Sequence, residues 1–137
     1  MEKITVEVVV ERGIEKVWEF WNEPEHITQW AFASDTWECP RAENDARVGG
    51  KFVTRMAARD GSAAFDFSGT YTEVVLYEKI AYRMDDGRTA SLSFEKVGEN
   101  VTKIIETFDP ESENPIEMQR GGWQAILSNF KTYAESI

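Results

Sequence analysis

Cysteine and histidine are nearly absent from this sequence of 137 residues, and their scarcity excludes several kinds of site. Cys39 is the only cysteine, so no disulfide can form within the chain, which fits a reducing compartment. His26 is the only histidine, and it falls in a short surface helix, so we interpret it as a structural cap or rim residue. Metal sites built from several His or Cys are excluded, and no acidic cluster has calcium-loop spacing.

Long apolar runs and basic clusters are also missing. No apolar stretch approaches the ~20 residues that a membrane span needs, and the N-terminus lacks the apolar core of a signal peptide. The 15 Lys and Arg are scattered and outnumbered by 25 Asp and Glu, which gives a formal net charge of −10. Because a polyanion is repelled by nucleic acid and anionic lipid, we expect a soluble cytoplasmic protein that binds neither nucleic acid nor membranes.

Phosphate-binding loops are missing as well, which bears on cofactors. Gly49-Gly50 precedes a predicted strand rather than a helix, so no helix N-terminus is available there to hold a phosphate. No dinucleotide-binding fingerprint is present. We therefore expect the protein to carry neither a cofactor nor a metal ion.

The N-terminal part of the sequence does contain clear strand and helix signals. Alternating apolar residues over 4–10 predict a half-buried strand. Helical spacing from Val17 to Trp21 predicts a short amphipathic helix. Pro24 stops that helix and suits the first turn of a second short helix, which reaches Trp30.

Strand signals dominate residues 34–109. They predict a strand over Ser34–Cys39 that is bounded by Pro40, and then further strands joined by tight turns. Gly69, inside the long strand Ala64–Val75, predicts a bend or bulge. Because short turns connect antiparallel neighbours, these strands are expected to form an antiparallel meander.

A long helix is predicted at the C-terminus, with Asn114 as its N-cap and Pro115 at its first position. Its apolar residues form one stripe from Trp123 to Ala134. The pair Gly121-Gly122 weakens the helix, and we interpret it as a sign that something approaches the backbone closely. A sheet with one apolar face packs most simply by folding around such a helix. We expect one α+β domain over residues 1–137.

Four segments, taken in order, resemble a known family. They are Ile14–Glu19 with Glu23–Ile27 and Trp30, Val48–Phe52, Gly69–Val74 with Glu78-Lys79-Ile80 and Tyr82, and Gly121-Gly122-Trp123 with Leu127, Phe130 and Tyr133. On these segments the chain resembles the START-like, helix-grip (SRPBCC) superfamily. The branch it resembles includes the C-terminal domain of the heat-shock chaperone ATPase activator and polyketide cyclase-like proteins. It departs from that pattern at Leu76, where the family usually has Pro, and at Ala31-Phe32.

The resemblance implies a curved antiparallel sheet of six to seven strands wrapped around a long C-terminal helix, with two short helices after the first strand. It also implies a cavity between the sheet and that helix. Relatives use the cavity for lipids, sterols, polyketides or plant hormones, and a few relatives are cyclases.

Aromatic side chains are the main functional signal in the residues themselves. Most of them share the inward phase of successive strands or face those strands from the helix, so they are predicted to fill a core and to line a ligand-sized cavity. The predicted ligand-binding residues are Trp30, Phe32, Trp37, Phe52, Thr54, Phe65, Phe67, Tyr71, Tyr82, Phe94, Glu106, Phe108, Trp123 and Leu127.

Glu106 is the most unusual polar residue in the predicted sheet. It alternates in phase with Ile104 and Phe108, which places it on the apolar face, where desolvation would raise the pKa of its carboxyl. Such a group is a candidate general acid or base. The alternative is a paired or strand-end carboxylate. Arg55 and Asp66, on neighbouring strands, are expected to face outward.

Together these features favour non-catalytic binding of an apolar or aromatic small molecule. A chaperone-associated protein-interaction module is the alternative, and a cyclase- or isomerase-type enzyme that uses Glu106 has less support. A contact with a chaperone or with a second copy of the chain also stays open.

Overall fold

The computed structural model describes residues 2–137, which form seven strands and three helices. In chain order these are β1 (Ile4–Val10), α1 (Ile14–Asn22), α2 (Pro24–Trp30), β2 (Trp37–Asn44), β3 (Lys51–Ala58), β4 (Ala64–Val75), β5 (Lys79–Met84), β6 (Thr89–Gly98), β7 (Val101–Phe108) and α3 (Ile116–Ser136). The strands form one antiparallel sheet in the order β1-β7-β6-β5-β4-β3-β2. The sheet curls into a half-barrel with α3 along its concave side, so the predicted α+β helix-grip fold is confirmed.

Helix α3 is attached to one edge of the sheet by side chains that bind the open carbonyls of β1. Arg120 Nη1 donates to the carbonyl of Thr5 at 3.2 Å, and Gln124 Nε2 donates to that of Glu7 at 3.1 Å. Two helical turns further along α3, Lys131 Nζ donates to the carbonyl of Val9 at 2.7 Å. These contacts cover an edge strand that would otherwise offer unpaired carbonyls.

The two short helices are attached to the C-terminal half of α3. Asn129 Nδ2 donates to the carbonyl of Trp30, the last residue of α2, at 2.8 Å. His26 Nδ1 and the hydroxyl of Tyr133 are hydrogen-bonded at 2.6 Å. The indole of Trp30 donates to the carbonyl of Phe20 in α1 at 3.0 Å. Since α1 and α2 cover this half of α3, only the first half of the helix faces the open part of the half-barrel.

Strand β2 begins at Trp37, three residues later than predicted, and continues through Pro40 to Asn44. β2 is an edge strand, and its register with β3 shifts between Glu38 and Arg41. Proline has no N–H to donate, but an edge position or a bulge requires none. Pro40 therefore sits within the strand that it was predicted to end.

Helix α3 begins at Ile116, one residue later than predicted, and Pro115 rather than Asn114 is its N-cap. The carbonyl of Pro115 accepts from the N–H groups of Met118 and Gln119. Asn114 instead belongs to the preceding loop, since its own carbonyl accepts from Gln119 Nε2 at 2.8 Å. The buried Gln119 amide thus closes the loop in front of the helix.

Gly69 of β4 has a different role from the one predicted, and the glycines of α3 lie in open space. Gly69 pairs regularly with Phe52 and Met84, and the bulge of β4 lies between Tyr71 and Glu73. A Cβ atom on Gly69 would lie 2.5 Å from the carbonyl oxygen of Arg83 and 3.0 Å from two ring atoms of Phe52. A Cβ atom on Gly121 or Gly122 would meet nothing within 4 Å, so no part of the described chain makes the close approach to α3 at these positions, and an approach by a bound molecule stays a prediction.

None of the helices in the described part of the chain combines the length and the apolar character needed to cross a membrane.

We expect Gly69→Ala to destabilise the fold, because the new methyl group would overlap a backbone carbonyl and the Phe52 ring. Overpacking of this kind costs about 1–3 kcal/mol. Urea unfolding, followed by far-ultraviolet circular dichroism, measures the change. The control is Gly121→Ala, which adds the same methyl group in open space on a helix and should raise the free energy of unfolding by about 1 kcal/mol. Equal stabilities of the two variants would contradict the close approach at Gly69.

Candidate functional site

A cavity of about 650 Å³ lies between the first half of α3 and the concave faces of β2 to β5. It exists because α3 is held against β1 at the opposite edge of the sheet, while the sheet curls away from the helix. Strand β7 contributes one residue to the wall, Glu106, and α3 contributes Gly122, Trp123 and Ile126. The remaining wall comes from α1, α2, the segment after α2, β2 to β5 and the turn after β5.

Aromatic rings form the inner wall, with Phe52 at their centre. Its ring centroid lies 4.9 Å from that of Tyr82, 5.3 Å from Tyr71 and 5.6 Å from Phe67. Phe67 in turn meets Trp123 of α3 edge-on at 5.8 Å. Contacts of this kind stabilise the rings against one another and fix their orientation, so the wall is already ordered in the protein alone.

One end of the cavity reaches the surface. The exposed residues of its wall are Ala33, Phe65, Asp66, Asp85 and Asp86, and they come from the segment after α2, from the start of β4 and from the turn between β5 and β6. Phe65 is 50% exposed and meets Trp37 edge-on at 6.0 Å. The mouth therefore combines an exposed aromatic pair with three carboxylates.

Glu106 lies on the apolar face of the sheet, as its phase predicts, and is only 6% exposed. Its neighbours across the strands are Val6 on β1 and Leu92 on β6, so aliphatic side chains flank the carboxyl on both sides. The side chain makes no hydrogen bond or ion pair with any of residues 2–137. Burial raises the pKa of Glu106 to about 8, because removal from water disfavours the charged form.

The carboxyl oxygens of Glu106 open into the cavity. Every fully enclosed side-chain nitrogen or oxygen atom in the described part of the chain has a hydrogen-bond partner. The Glu106 oxygens have no such partner and so are not enclosed by protein, and Glu106 lines the cavity. A ligand in the cavity can therefore reach this carboxyl directly.

Two tyrosines complete the polar part of the inner wall. Tyr71 donates its hydroxyl to Asn44 Oδ1, and Asn44 Nδ2 donates to the carbonyl of Asn22 at 2.7 Å. The hydroxyl of Tyr82 has no hydrogen-bond partner among the described residues. Burial and then the nearby Glu106 raise the pKa of Tyr82 well above its usual range, so this hydroxyl stays protonated and can donate to a ligand.

With this geometry in hand, the comparisons with known proteins identify the family. The family model described as Activator of Hsp90 ATPase homolog 1-like protein matches residues 12–135. The chain belongs to this family. At that level the match supports a binding module or an ATPase-activator-like module. A search of curated proteins found none that matches the chain.

Solved structures of similar proteins agree with the family assignment. The AHSA1-like protein of Aeromonas hydrophila is 43% identical, with a TM-score of 0.91 over 98% of this chain and 93% of its own. A protein of Cytophaga hutchinsonii is 52% identical, with a TM-score of 0.84 over 98% and 92%. The Aha1 dimer of Colwellia psychrerythraea is 14% identical, with a TM-score of 0.76 over 98% and 97%, and so shares the fold alone.

Most of the predicted ligand-binding residues come together in the wall of this cavity. Those that line it are Trp30, Phe32, Trp37, Phe52, Thr54, Phe65, Phe67, Tyr71, Tyr82, Glu106 and Trp123. Their part in ligand binding stays a prediction. Arg55 and Asp66 form an ion pair at 3.2 Å on the outer side of β3 and β4, although Asp66 also reaches the mouth.

Phe94, Phe108 and Leu127 lie outside the cavity wall, in the core behind it. Phe94 packs edge-on against Trp18 of α1 at 5.1 Å, under the end of the half-barrel that the short helices close. The ring of Phe108 is stacked on Trp123 at 3.8 Å, so Trp123 separates it from the cavity. Leu127 is fully buried, and Ile126 is the α3 residue that lines the wall beside Trp123.

Several wall residues were missed by sequence reasoning. They include Trp21, Asn44, Met56, Arg88 and Gly122. Asn44 was missed because β2 was predicted to stop at Cys39, five residues before it. Gly122 was identified only as a helix-weakening residue, because its position facing the cavity depends on where α3 lies relative to the sheet.

His26 lies away from the cavity. It is hydrogen-bonded to Tyr133 and lies 3.6 Å from a carboxylate oxygen of Glu19. The side chain therefore connects α2 to α1 and to α3, which agrees with the structural interpretation. Among the described residues, no three His, Cys, Asp or Glu side chains gather in a way that could hold a metal ion.

We expect Glu106→Gln to change how stability depends on pH. The wild-type carboxyl keeps its proton up to about pH 8 when folded but loses it near pH 4.5 when unfolded. Between these values the folded state binds more protons, so the free energy of unfolding falls as pH rises, by roughly 5 kcal/mol over the window. The variant lacks this titration. The difference in free energy of unfolding between the variant and the wild type should therefore grow in favour of the variant by that amount as pH rises. Urea unfolding across the window measures it.

Glu95→Gln is the matched control, because it removes the same charge from an exposed position on β6. The contrast between the two variants isolates the effect of burial from that of net charge. If Glu106→Gln and Glu95→Gln follow the same curve of stability against pH, the carboxyl of Glu106 is not desolvated.

Proposed function

We propose that the chain binds an apolar or aromatic small molecule in the cavity between the sheet and α3, without transforming it chemically. The cavity of about 650 Å³ carries this proposal. Its volume falls within the range of roughly 300–1,000 Å³ that is usual for small-molecule sites, and its mostly apolar wall with a few polar groups is typical of them.

The fixed orientation of the aromatic side chains in the wall favours binding of a ligand in a single pose. Phe52, Phe67, Tyr71 and Tyr82 hold one another through ring contacts, so a ligand need not immobilise them. Pre-ordered walls reduce the entropy that binding costs. Thr54 and Tyr82 have hydroxyls without a protein partner among the described residues, and with Glu106 these supply the polar groups that would orient the ligand.

Gly122 provides a way to close the cavity without disturbing the fold. It belongs to the wall, and a Cβ atom there would meet nothing within 4 Å. A larger side chain would project into space that the proposed ligand occupies. Its neighbour Gly121 is exposed, is not part of the wall and is equally free of close contacts.

We expect Gly122→Leu to abolish binding of Nile red, a neutral apolar dye, because the new side chain would occupy the cavity. The same substitution should raise the free energy of unfolding by about 1 kcal/mol or more through helix propensity and burial of the leucine. Dye fluorescence and urea unfolding measure the two effects on one protein sample.

Gly121→Leu is the control for helix propensity. It should stabilise α3 by about 1 kcal/mol and leave dye binding as in the wild type. Wild-type protein that does not bind the dye, or equal binding by both variants, would contradict a ligand site in this cavity.

The family match favours a second candidate, a module that acts on a heat-shock chaperone ATPase. Its support is the family model that covers residues 12–135. Addition of the purified chain to the chaperone, followed by measurement of ATP hydrolysis, tests it. An unchanged rate of ATP hydrolysis at a saturating concentration of the chain would exclude this candidate. If the Gly122→Leu variant still stimulates ATP hydrolysis, that activity does not depend on ligand binding in the cavity.

Three expectations from the sequence stay predictions. They are a contact between two copies of the chain, a cytoplasmic location and a cyclase- or isomerase-type reaction with Glu106 as general acid or base. The third requires a substrate that is transformed in the cavity, so retention of turnover by Glu106→Gln would exclude it.

A further inference from the structure

Glu106 also bears on the chemistry of the ligand, in an argument that rests on the proposed binding function. The side chain is 6% exposed, has no partner among residues 2–137 and directs its oxygens into the cavity. A buried carboxyl without a partner is costly, because nothing replaces the water that it loses on folding. Since no described residue supplies a partner, only water in the cavity or a ligand can do so at this position.

The other charges in the wall are mostly negative. The titratable residues that line the cavity are Asp66, Tyr71, Tyr82, Asp85, Asp86, Arg88 and Glu106. Arg88 is the one cation in this described set. Its Nε donates to Asp86 Oδ2 at 2.8 Å and its Nη1 to the carbonyl of Asp109 at 3.3 Å.

The two remaining carboxylates at the mouth do not share Arg88. Asp66 is paired with Arg55 on the outer face at 3.2 Å. Asp85 accepts a hydrogen bond from Ser68 Oγ at 2.5 Å, and no basic residue of the described chain pairs with it. Asp66 also lies 4.0 Å from Arg41, and Asp86 is paired with Arg88. Asp85 is thus the one mouth carboxylate without a basic partner in the described chain, and its charge favours the approach of cations.

No ionisable group faces Glu106 from the elements packed beside and above it. Val6 of β1 and Leu92 of β6 flank it within the sheet, and α3 presents Gly122, Trp123 and Ile126 to the cavity. The ionisable group near Glu106 is Tyr82 of β5, and Tyr71 and Arg88 lie near Tyr82. None of these neutralises the carboxylate by contact.

We infer that the ligand carries a protonated nitrogen, such as an amine or an amidine on an apolar body, which donates to the Glu106 carboxylate. A charge-assisted hydrogen bond is about twice as strong as a neutral one. The aromatic wall, which includes Tyr71, Tyr82 and Phe52, supplies surface for the apolar body of such a ligand. An anionic ligand such as a fatty acid could bind only beside the protonated carboxyl, and it would meet a second negative charge once that proton is lost near pH 8.

Three probes with one apolar body test the inference: pyrenemethylamine, pyrenemethanol and pyrenecarboxylate. They differ in charge and share a ring system that matches an aromatic wall. Fluorescence titration of the wild type, Glu106→Gln and Glu95→Gln near neutral pH gives nine dissociation constants. We expect the wild type to bind the amine about ten- to one-hundredfold more tightly than the alcohol, and the carboxylate more weakly than either.

The variants locate the source of this preference. Glu106→Gln should lose the preference for the amine, so that its dissociation constants for the amine and the alcohol become similar. Glu95→Gln removes the same charge from an exposed site on β6 and should retain the preference. Circular dichroism of each variant confirms that it is folded before titration.

Dependence on pH provides a test that needs no variant. Burial raises the pKa of Glu106 to about 8, so the carboxyl must lose a proton when the amine binds at lower pH. Affinity of the wild type for pyrenemethylamine should therefore rise about tenfold per pH unit up to about pH 8. Affinity for pyrenemethanol should show no such rise.

The outcomes separate this inference from the proposed function. Equal affinity for the amine and the alcohol, or tighter binding of the carboxylate, overturns the protonated nitrogen and leaves the apolar binding site intact. A preference for the amine that survives Glu106→Gln, or that does not depend on pH, overturns the role of Glu106. Failure of all three probes to bind the wild type overturns the binding site itself.

Discussion

The attachment of α3 to the edge of β1 is the constraint on which the rest of the structure depends. Arg120, Gln124 and Lys131 bind successive open carbonyls of that strand, and this contact removes a sheet edge that would otherwise be free to pair. It also holds the helix at one side of a curled sheet. The strands β2 to β5 then stand away from the helix, and the space between them is the cavity rather than a closed core.

A packed half and an open half follow from that geometry. The short helices α1 and α2 bind the second half of α3 through Asn129 and Tyr133, and the side chains beneath them are fully buried. The first half of α3 carries Gly122 where a larger residue would have projected into the cavity. Trp123 contacts both the core and the cavity, since its indole is stacked on Phe108 and also lines the cavity wall.

Glu106 connects this architecture to function. A carboxyl between Val6 and Leu92 is an unfavourable choice for stability alone, because a hydrophobic residue of similar size would fit the row better. Its carboxyl oxygens, open to the cavity, give a mostly apolar wall a polar group that could contact a ligand. At the mouth, Asp85 has no basic partner in the described chain, so in the proposed function the size, the apolar surface and the charge of the cavity together would select the ligand.

The sequence by itself determined the order of the elements and the inward phase of the residues. Alternation in β1 and β7, helical spacing in α1 and α3, and glycine turns are local signals, and they placed Glu106, Phe52 and Tyr82 on the concave face. Tertiary structure decided where the cavity lies. Local periodicity assigns Phe108 and Phe67 to the same face, but only the position of α3 makes one of them core and the other wall. Tertiary structure also decided that Pro40 lies within β2 and that Gly122 faces open space. An edge position and a void depend on residues that are distant in the chain, so local sequence signals do not reveal them.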